Sequence, residues 1–246
     1  MRLTEHIYLV GGGSLGFGLS NDFDCHVYLI DGGREMALID GGAGLTIEPI
    51  LERIRFDGLN SSCLRYLVLT HAHADHAGGA ALWREKFGLE VVASTVSAEY
   101  VRNGDEERIS LGIAKRGGFY PADYVFKACD VAHVLTEGDG LRVGDLELRA
   151  FETPGHCSGM LSLLMNDQGR SCLFTGDTVF HGGKRLMSNL WDCNLQDYVA
   201  SIRKLAALEV DALLPGHLTI ALSGGGQHIR KAQETLDRLA LPPNII

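Results

Sequence analysis

Thr70-His71-Ala72-His73-Ala74-Asp75-His76 packs three imidazoles and a carboxylate into six residues, directly after the short apolar run Tyr66 to Leu69. The apolar run reads as a buried strand, so the cluster stands where a strand gives way to a loop, a place where side chains are held rigidly. Imidazole nitrogen and carboxylate oxygen suit zinc and neighbouring borderline metals. Taken alone, the stretch also reads as a polar turn whose histidines cap a helix or face solvent.

Three further segments separate these readings. Thr153-Pro154-Gly155-His156, Thr175-Gly176-Asp177-Thr178 and Pro215-Gly216-His217 each follow an apolar run and each end in a ligand-type residue. A lone histidine after Pro-Gly is more often a turn residue than a ligand. Five of the ten histidines, however, fall in the cluster or at these ends, and strand ends that share one edge of a sheet bring such residues together.

Outward from these points, the runs His6 to Val10, Cys25 to Ile30 and Glu35 to Ile39 predict an antiparallel meander, the last ending in Asp40-Gly41-Gly42. Ile47, Ile50, Leu51 and Ile54 lie at helical spacing within Thr46 to Phe56, and Ala80 to Phe87 reads as a helix stopped at Gly88 before a strand over Glu90 to Ser94. A hairpin around Val143-Gly144-Asp145, strands over Met160 to Met165 and Ser171 to Thr175, a helix over Leu195 to Leu208, a strand over Ala212 to Leu214 and a helix over Gln227 to Ala240 follow. Strands followed by helices, twice, predict an α/β (α+β) chain in which two sheets face each other inside a helical coat. Residues 95–137, with Gly117-Gly118, Pro121 and the aromatics Phe119, Tyr120, Tyr124 and Phe126, read as an insertion, either a cap over the site or a solvated surface excursion with aromatic anchors, within a single domain spanning 1–246.

Composition narrows the partners. With 46% hydrophobic and 22% charged residues and no apolar run of about 18 residues, the chain is expected to be soluble, with no membrane span. A net charge of −9 disfavours nonspecific nucleic-acid binding, which makes a small-molecule substrate the expected partner. Six scattered cysteines without a Cys-x-x-Cys pair, together with an N-terminus lacking a secretory pattern, predict free thiols and a cytoplasmic location. Nothing in the sequence sets an oligomeric state.

The pattern His-x-His-x-Asp-His, followed by His156, Asp177 and His217, resembles the metallo-β-lactamase superfamily over essentially the whole chain. The resemblance implies an αββα sandwich of two facing mixed sheets flanked by helices, with two divalent metal ions at their edge. Zinc is the expected metal, with iron and manganese as the alternatives. It further implies that His71, His73 and His156 hold one ion, that Asp75, His76 and His217 hold the other, and that Asp177 bridges them. Two divalent cations lower the pKa of a shared water and polarise a carbonyl or phosphoryl oxygen, so a metal-bridging hydroxide is the expected nucleophile and Asp75 the catalytic residue that orients it or takes its proton. Cys157, beside His156, is a candidate nucleophile that reads better as a packed thiol.

Departures from subfamilies narrow the reaction. True metallo-β-lactamases are exported and lack the bridging aspartate. Glyoxalase II shares all seven ligands but adds a glutathione-binding helical domain, where 29 residues follow His217 here. Lactonases place a tyrosine where this chain has Phe180. The resulting expectation is hydrolysis of a small ester, thioester or lactone with an acidic or acyl portion; His181, Lys184, Arg185 and Trp191 read either as a partner for an anionic substrate group or as an ordinary charged loop. A mononuclear iron oxygenase of the persulfide dioxygenase type and a phosphodiesterase or RNA-processing nuclease are the alternatives. Gly11-Gly12-Gly13-Ser14-Leu15-Gly16 matches a dinucleotide-binding fingerprint, but the next strand follows with no room for the helix that would receive a pyrophosphate. It reads instead as a mobile hairpin loop beside the metals.

Overall fold

The computed structural model describes residues 1–245. Strands β1 (Ile7–Gly11), β2 (Val27–Asp31) and β3 (Met36–Ile39) form the expected antiparallel meander. After helix α1 (Glu48–Phe56), strand β4 (Leu64–Val68) turns parallel to β3, and α2 (Ala74–Ala77) and α3 (Ala80–Phe87) lead to β5 (Glu90–Ser94). Helices α4 (Thr95–Asn103) and α5 (Leu111–Arg116) precede β6 (His133–Leu135), which completes a six-stranded sheet in sequence order.

The second sheet has five strands, in the order β11 (Ala212–Pro215), β10 (Arg170–Gly176), β9 (Leu161–Asp167), β8 (Leu146–Glu152) and β7 (Gly140–Val143). All its pairs are antiparallel except β10 with β11. Helices α6 (Leu195–Ala206) and α7 (Gly225–Asp237) cover its outer face. Asn194 starts α6 by accepting hydrogen bonds from the Gln196 and Asp197 amides at 2.8 and 3.2 Å, which satisfies two of the free donors at a helix start.

Alternation along the strands builds three cores. Ile7, Leu9, Tyr28 and Ile30 of the first sheet pack against Leu163, Phe174 and Leu214 of the second, filling the space between the sheets. The intervening residues of the first sheet, among them Val10, Val27, Leu29 and Leu67, pack against α1 and α3. Leu173 and Leu213 turn outward to Tyr198, Ile202 and Ile229 of α6 and α7. The central strands are therefore buried on both faces, which is why they read as continuous apolar runs. The layers are helix, sheet, sheet, helix, as the αββα expectation requires. Among the described residues no helix is long and apolar enough to cross a membrane.

Segment 95–137 is built of parts with different attachments. Helix α4 packs beside β5, and β6 pairs with β5 in parallel, so both ends belong to the sandwich. The stretch between them is tied down by the Glu106 carboxylate, which accepts from the Phe126 amide (3.0 Å) and Lys115 (2.9 Å), and by the Tyr124 hydroxyl, which donates to the Ala43 carbonyl (2.7 Å). The glycine-rich loop after β1 is a hairpin with no helix. Its backbone is pinned through Gly13 N to Asp24 O (2.9 Å) and Leu218 N to Leu15 O (2.7 Å).

Trp83 is fully buried on α3 and donates its indole N–H to the Gly41 carbonyl at 3.0 Å. Trp83→Ala removes a large core side chain and leaves that carbonyl unpaired, so stability is expected to fall by about 3–5 kcal/mol, read as a lower urea midpoint at unchanged slope. A loss below about 1 kcal/mol would show that the first helical layer does not depend on this contact.

Candidate metal centre

Four strands deliver ligand-type residues to one edge of the sandwich. His71 lies just beyond β4. His73 caps α2, whose first turn carries Asp75 and His76. His156 sits in the loop between β8 and β9, Asp177 follows β10 directly, and His217 follows β11 by two residues. Two glycines make the approach possible. A Cβ on Gly216 would lie 2.5 Å from Asp177 Oδ1 and 2.7 Å from the His76 ring, and a Cβ on Gly155, whose φ is +142°, would lie 2.5 Å from the Tyr198 backbone.

All seven predicted ligand residues converge. The ligand atoms of His71, His73 and His156 lie within 4.8 Å of one another, as do those of Asp75, His76 and His217, and those of His71, His76 and Asp177. His217 Nε2 is 3.1 Å from Asp75 Oδ2 and 3.5 Å from Asp177 Oδ2, while His76 Nε2 is 3.5 Å from Asp177 Oδ1 and His156 Nε2 is 3.7 Å from Asp177 Oδ2. Asp177 thus stands between the two groups of side chains.

Hydrogen bonds set the direction of three of the five rings. The His156 Nδ1–H donates to the Leu186 carbonyl at 2.8 Å, and His76 Nδ1–H donates to Asp40 Oδ2 at 2.8 Å. His71 Nδ1 is 3.1 Å from Thr70 Oγ1, whose own proton goes to Asp40 Oδ2 (2.8 Å). In each of these three rings Nε2 is the nitrogen left facing the cluster. Asp40 also accepts from the Thr70 amide at 2.7 Å, so one buried carboxylate orients the segment that starts the cluster and one of its imidazoles.

Burial and charge act together on protonation. Burial, and the His73 ring beside it, push His156 down to about 4, and burial holds His71 well below its ordinary value. For Asp177 burial works upward, but His217 and His76 more than offset it and keep the carboxylate ionised; Asp75 is held low in the same way by His76 and His217. Burial works to lower His217, but the Asp177 and Asp75 carboxylates raise it to about 9.

This arrangement fits metal ions. His71 Nε2, His76 Nε2 and Asp177 Oδ1 are buried without a hydrogen-bond partner, and His156 Nε2 faces His73 Nδ1 at 2.9 Å. Buried lone pairs pointed at one another are costly unless a cation or proton lies between them. The set of imidazoles with carboxylates is one that zinc and its neighbours accept. Cys157 is buried with its sulfur within 4.8 Å of the His71, His73 and His156 ligand atoms, and burial pushes its thiol well up, which makes it a poor nucleophile.

The cluster opens into a cleft of about 420 Å³, where Leu15, Ile113, Phe119, Tyr120 and Leu190 face His73, Asp75, His156 and His217. Tyr120 donates its hydroxyl to Asp75 Oδ1 at 3.2 Å. Tyr124 lies beneath, bonded to Ala43, and is not part of the wall. The residues after Asp177 expected to meet an acidic group do not line the cleft: His181 packs on His228, with ring centroids 4.2 Å apart, and Arg185 donates to the Pro242 carbonyl.

Two groups escaped the sequence reading. Asp40 was legible only as the polar end of β3. His26 is buried under the glycine-rich loop, where its amide donates to the Gly216 carbonyl (2.6 Å) and its ring bonds the Pro215 carbonyl (3.0 Å), tethering the His217 loop across the two sheets. A polar residue at the end of an apolar strand is the only sequence signal for Asp40; a histidine opening a strand gives none for His26.

Known proteins resemble this chain in sequence and in fold. Acyl-coenzyme A thioesterase MBLAC2 of Gallus gallus is 29% identical over 211 residues, covering 79% of this chain and 73% of its own length. The hydroxyacylglutathione hydrolase of Chelativorans sp. is 28% identical over 167 residues, covering 68% of this chain and 52% of its own. Among solved structures, a Cronobacter sakazakii metallo-beta-lactamase with a HARLDQ motif superposes with a TM-score of 0.75 at 20% identity, over 97% of this chain and 96% of that one. The native FEZ-1 metallo-beta-lactamase from Legionella gormanii gives 0.74 at 22% identity, over 97% and 94%; at these identities the likeness concerns the fold. The family described as the metallo-beta-lactamase superfamily matches residues 20–217, a span that contains every residue of the cluster, and the chain belongs to that superfamily.

Proposed function

We propose that the chain is a two-metal hydrolase of acyl thioesters, with Asp75 as its catalytic carboxylate. The observation that carries this is the convergence of seven imidazole and carboxylate side chains, three of them with buried, unpartnered ligand atoms, at the floor of an open cleft. Relatives named as a coenzyme A thioesterase and a hydroxyacylglutathione hydrolase support the thioester as the bond cleaved.

In this reading His71, His73 and His156 hold one ion, Asp75, His76 and His217 the other, and Asp177 both. When bound, such ions supply Lewis acidity, making a water acidic enough to be deprotonated near neutral pH and drawing charge from the acyl oxygen. The remaining steps belong to the chain. Asp75 turns Oδ1 toward the cleft, where it orients the attacking water and accepts its proton. The Tyr120 hydroxyl, 3.2 Å away, holds that carboxylate in place. The acyl carbon gains the water oxygen, the carbon–sulfur bond breaks, and the thiolate leaves with a proton returned from Asp75. Residues 109–120 form one side of the cleft, the part we assign to the expected cap.

Protein purified without added metal is expected to contain about two metal ions per chain and to hydrolyse acyl thioesters, with Asp177→Ala losing both; one iron per chain with oxygen uptake and no hydrolysis would replace this reading with the iron oxygenase. Asp40→Asn presents an amide N–H to His76 Nδ1, moving the ring proton to Nε2, where a cation would bind. Metal affinity, measured against a competing chelator, is expected to fall about 10–100-fold. An unchanged affinity would mean that Asp40 orients the loop without tuning the ligand.

A further inference from the structure

Resting on the thioesterase reading, we infer that the site selects thioesters with an apolar, unsubstituted acyl chain, and that residues 109–120, Leu15 and Leu190 are its specificity wall. The cleft has two ends of different chemistry. One is the ligand cluster, where the reacting carbonyl must sit. The other is lined by Leu15, Ile109, Leu111, Ile113, Phe119 and Leu190, with Ser110, Ser188 and Asn189 as its uncharged polar members. Among the described residues no lysine, arginine or glutamate side chain lines it.

An acyl group bearing a carboxylate or several hydroxyls would lose water there without gaining an ionic partner. A hydrocarbon chain would instead cover side chains that are otherwise in solvent: Leu15, Ile113 and Phe119 are 43, 50 and 56% exposed. Apolar side chains gathered around a concave site, rather than scattered, mark a place where something apolar binds. Their position continuous with the ligand cluster selects the acyl chain as that occupant, since the chain must extend from the carbonyl held at the cluster.

The wall is preformed. Leu15 is fixed through its carbonyl to the Leu218 amide at 2.7 Å. The stretch that carries Ile109 is pinned where Trp191 Nε1 donates to the Arg108 carbonyl at 3.0 Å, and the loop before Leu190 is pinned where the Met187 amide donates to Asn244 Oδ1 at 3.0 Å. Because three separate segments meet without having to be ordered by the ligand, added methylenes contribute to binding with little offset.

The test uses the metal-loaded protein and one thiol throughout, comparing acetyl-, butanoyl-, hexanoyl-, octanoyl- and lactoyl-coenzyme A, together with calorimetric binding of the non-hydrolysable octyl-coenzyme A thioether against free coenzyme A. We expect kcat/KM to rise up to about fourfold per buried methylene, lactoyl to fall below butanoyl, and the octyl thioether to bind more tightly than coenzyme A. Ile113→Asp, at a half-exposed helical position that tolerates a polar residue, is expected to lower the octanoyl-to-acetyl ratio about tenfold, and Phe119→Ala to lower it in the same direction. A flat chain-length profile, or lactoyl preferred, with thioesters still hydrolysed would overturn the inference and leave the thioesterase reading standing. Tight octyl binding that is lost in Ile113→Asp, with no thioester hydrolysed, would overturn the reaction and keep the apolar wall.

Discussion

The packing of the two sheets against each other is the constraint from which the site follows. Ile7, Leu9, Tyr28 and Ile30 meet Leu163, Phe174 and Leu214 in a shared interior from which water is excluded. Burial of this kind is the main favourable contribution to folding, and it leaves no freedom in where the strands end. The ends of β4 and β10 are consequently brought side by side, and a Cβ on Gly176 would lie 2.9 Å from Thr70. Ligand-type residues placed just past those ends have one common region to enter.

Placing so many ionisable groups in one buried region costs free energy that the apolar core must outweigh. The chain reduces that cost by hydrogen bonds from the opposite side of three of the five rings: Asp40 behind His76, the Leu186 carbonyl behind His156, and Thr70 behind His71. These contacts choose the tautomer as well as the angle. A separate contact spans the sandwich, since His26 comes from the first sheet while the Pro215 and Gly216 carbonyls that it holds come from the second. The cleft above is made differently, from loops and the short helix α5, so its chemistry can vary while the cluster beneath it stays the same.

Much of the architecture was legible because two-sided burial imposes a simple pattern. The runs at 27–30, 91–93 and 163–165 are apolar throughout, and the helices over Ala80–Phe87 and Leu195–Ala206 carry clear start or stop residues. The segment 95–137 was harder. The short strand β6 has two of its three residues exposed, so no alternation betrays it, and its membership in the sheet depends on a parallel pairing with β5 that local sequence does not encode.

The same division holds at the site. The residues that converge, His71, His73, Asp75, His76, His156, Asp177 and His217, could be identified from the sequence because each follows an apolar run and each is a residue type rarely placed there without purpose. Local sequence could not assign Asp40 and His26 their partners, show that Tyr120 reaches Asp75 while Tyr124 turns to Ala43, or reveal that Arg185 is bonded to the Pro242 carbonyl outside the cleft. Those outcomes depend on contacts between residues far apart in the chain, His26 with Pro215 or Tyr120 with Asp75, and such contacts exist only once both sheets have packed.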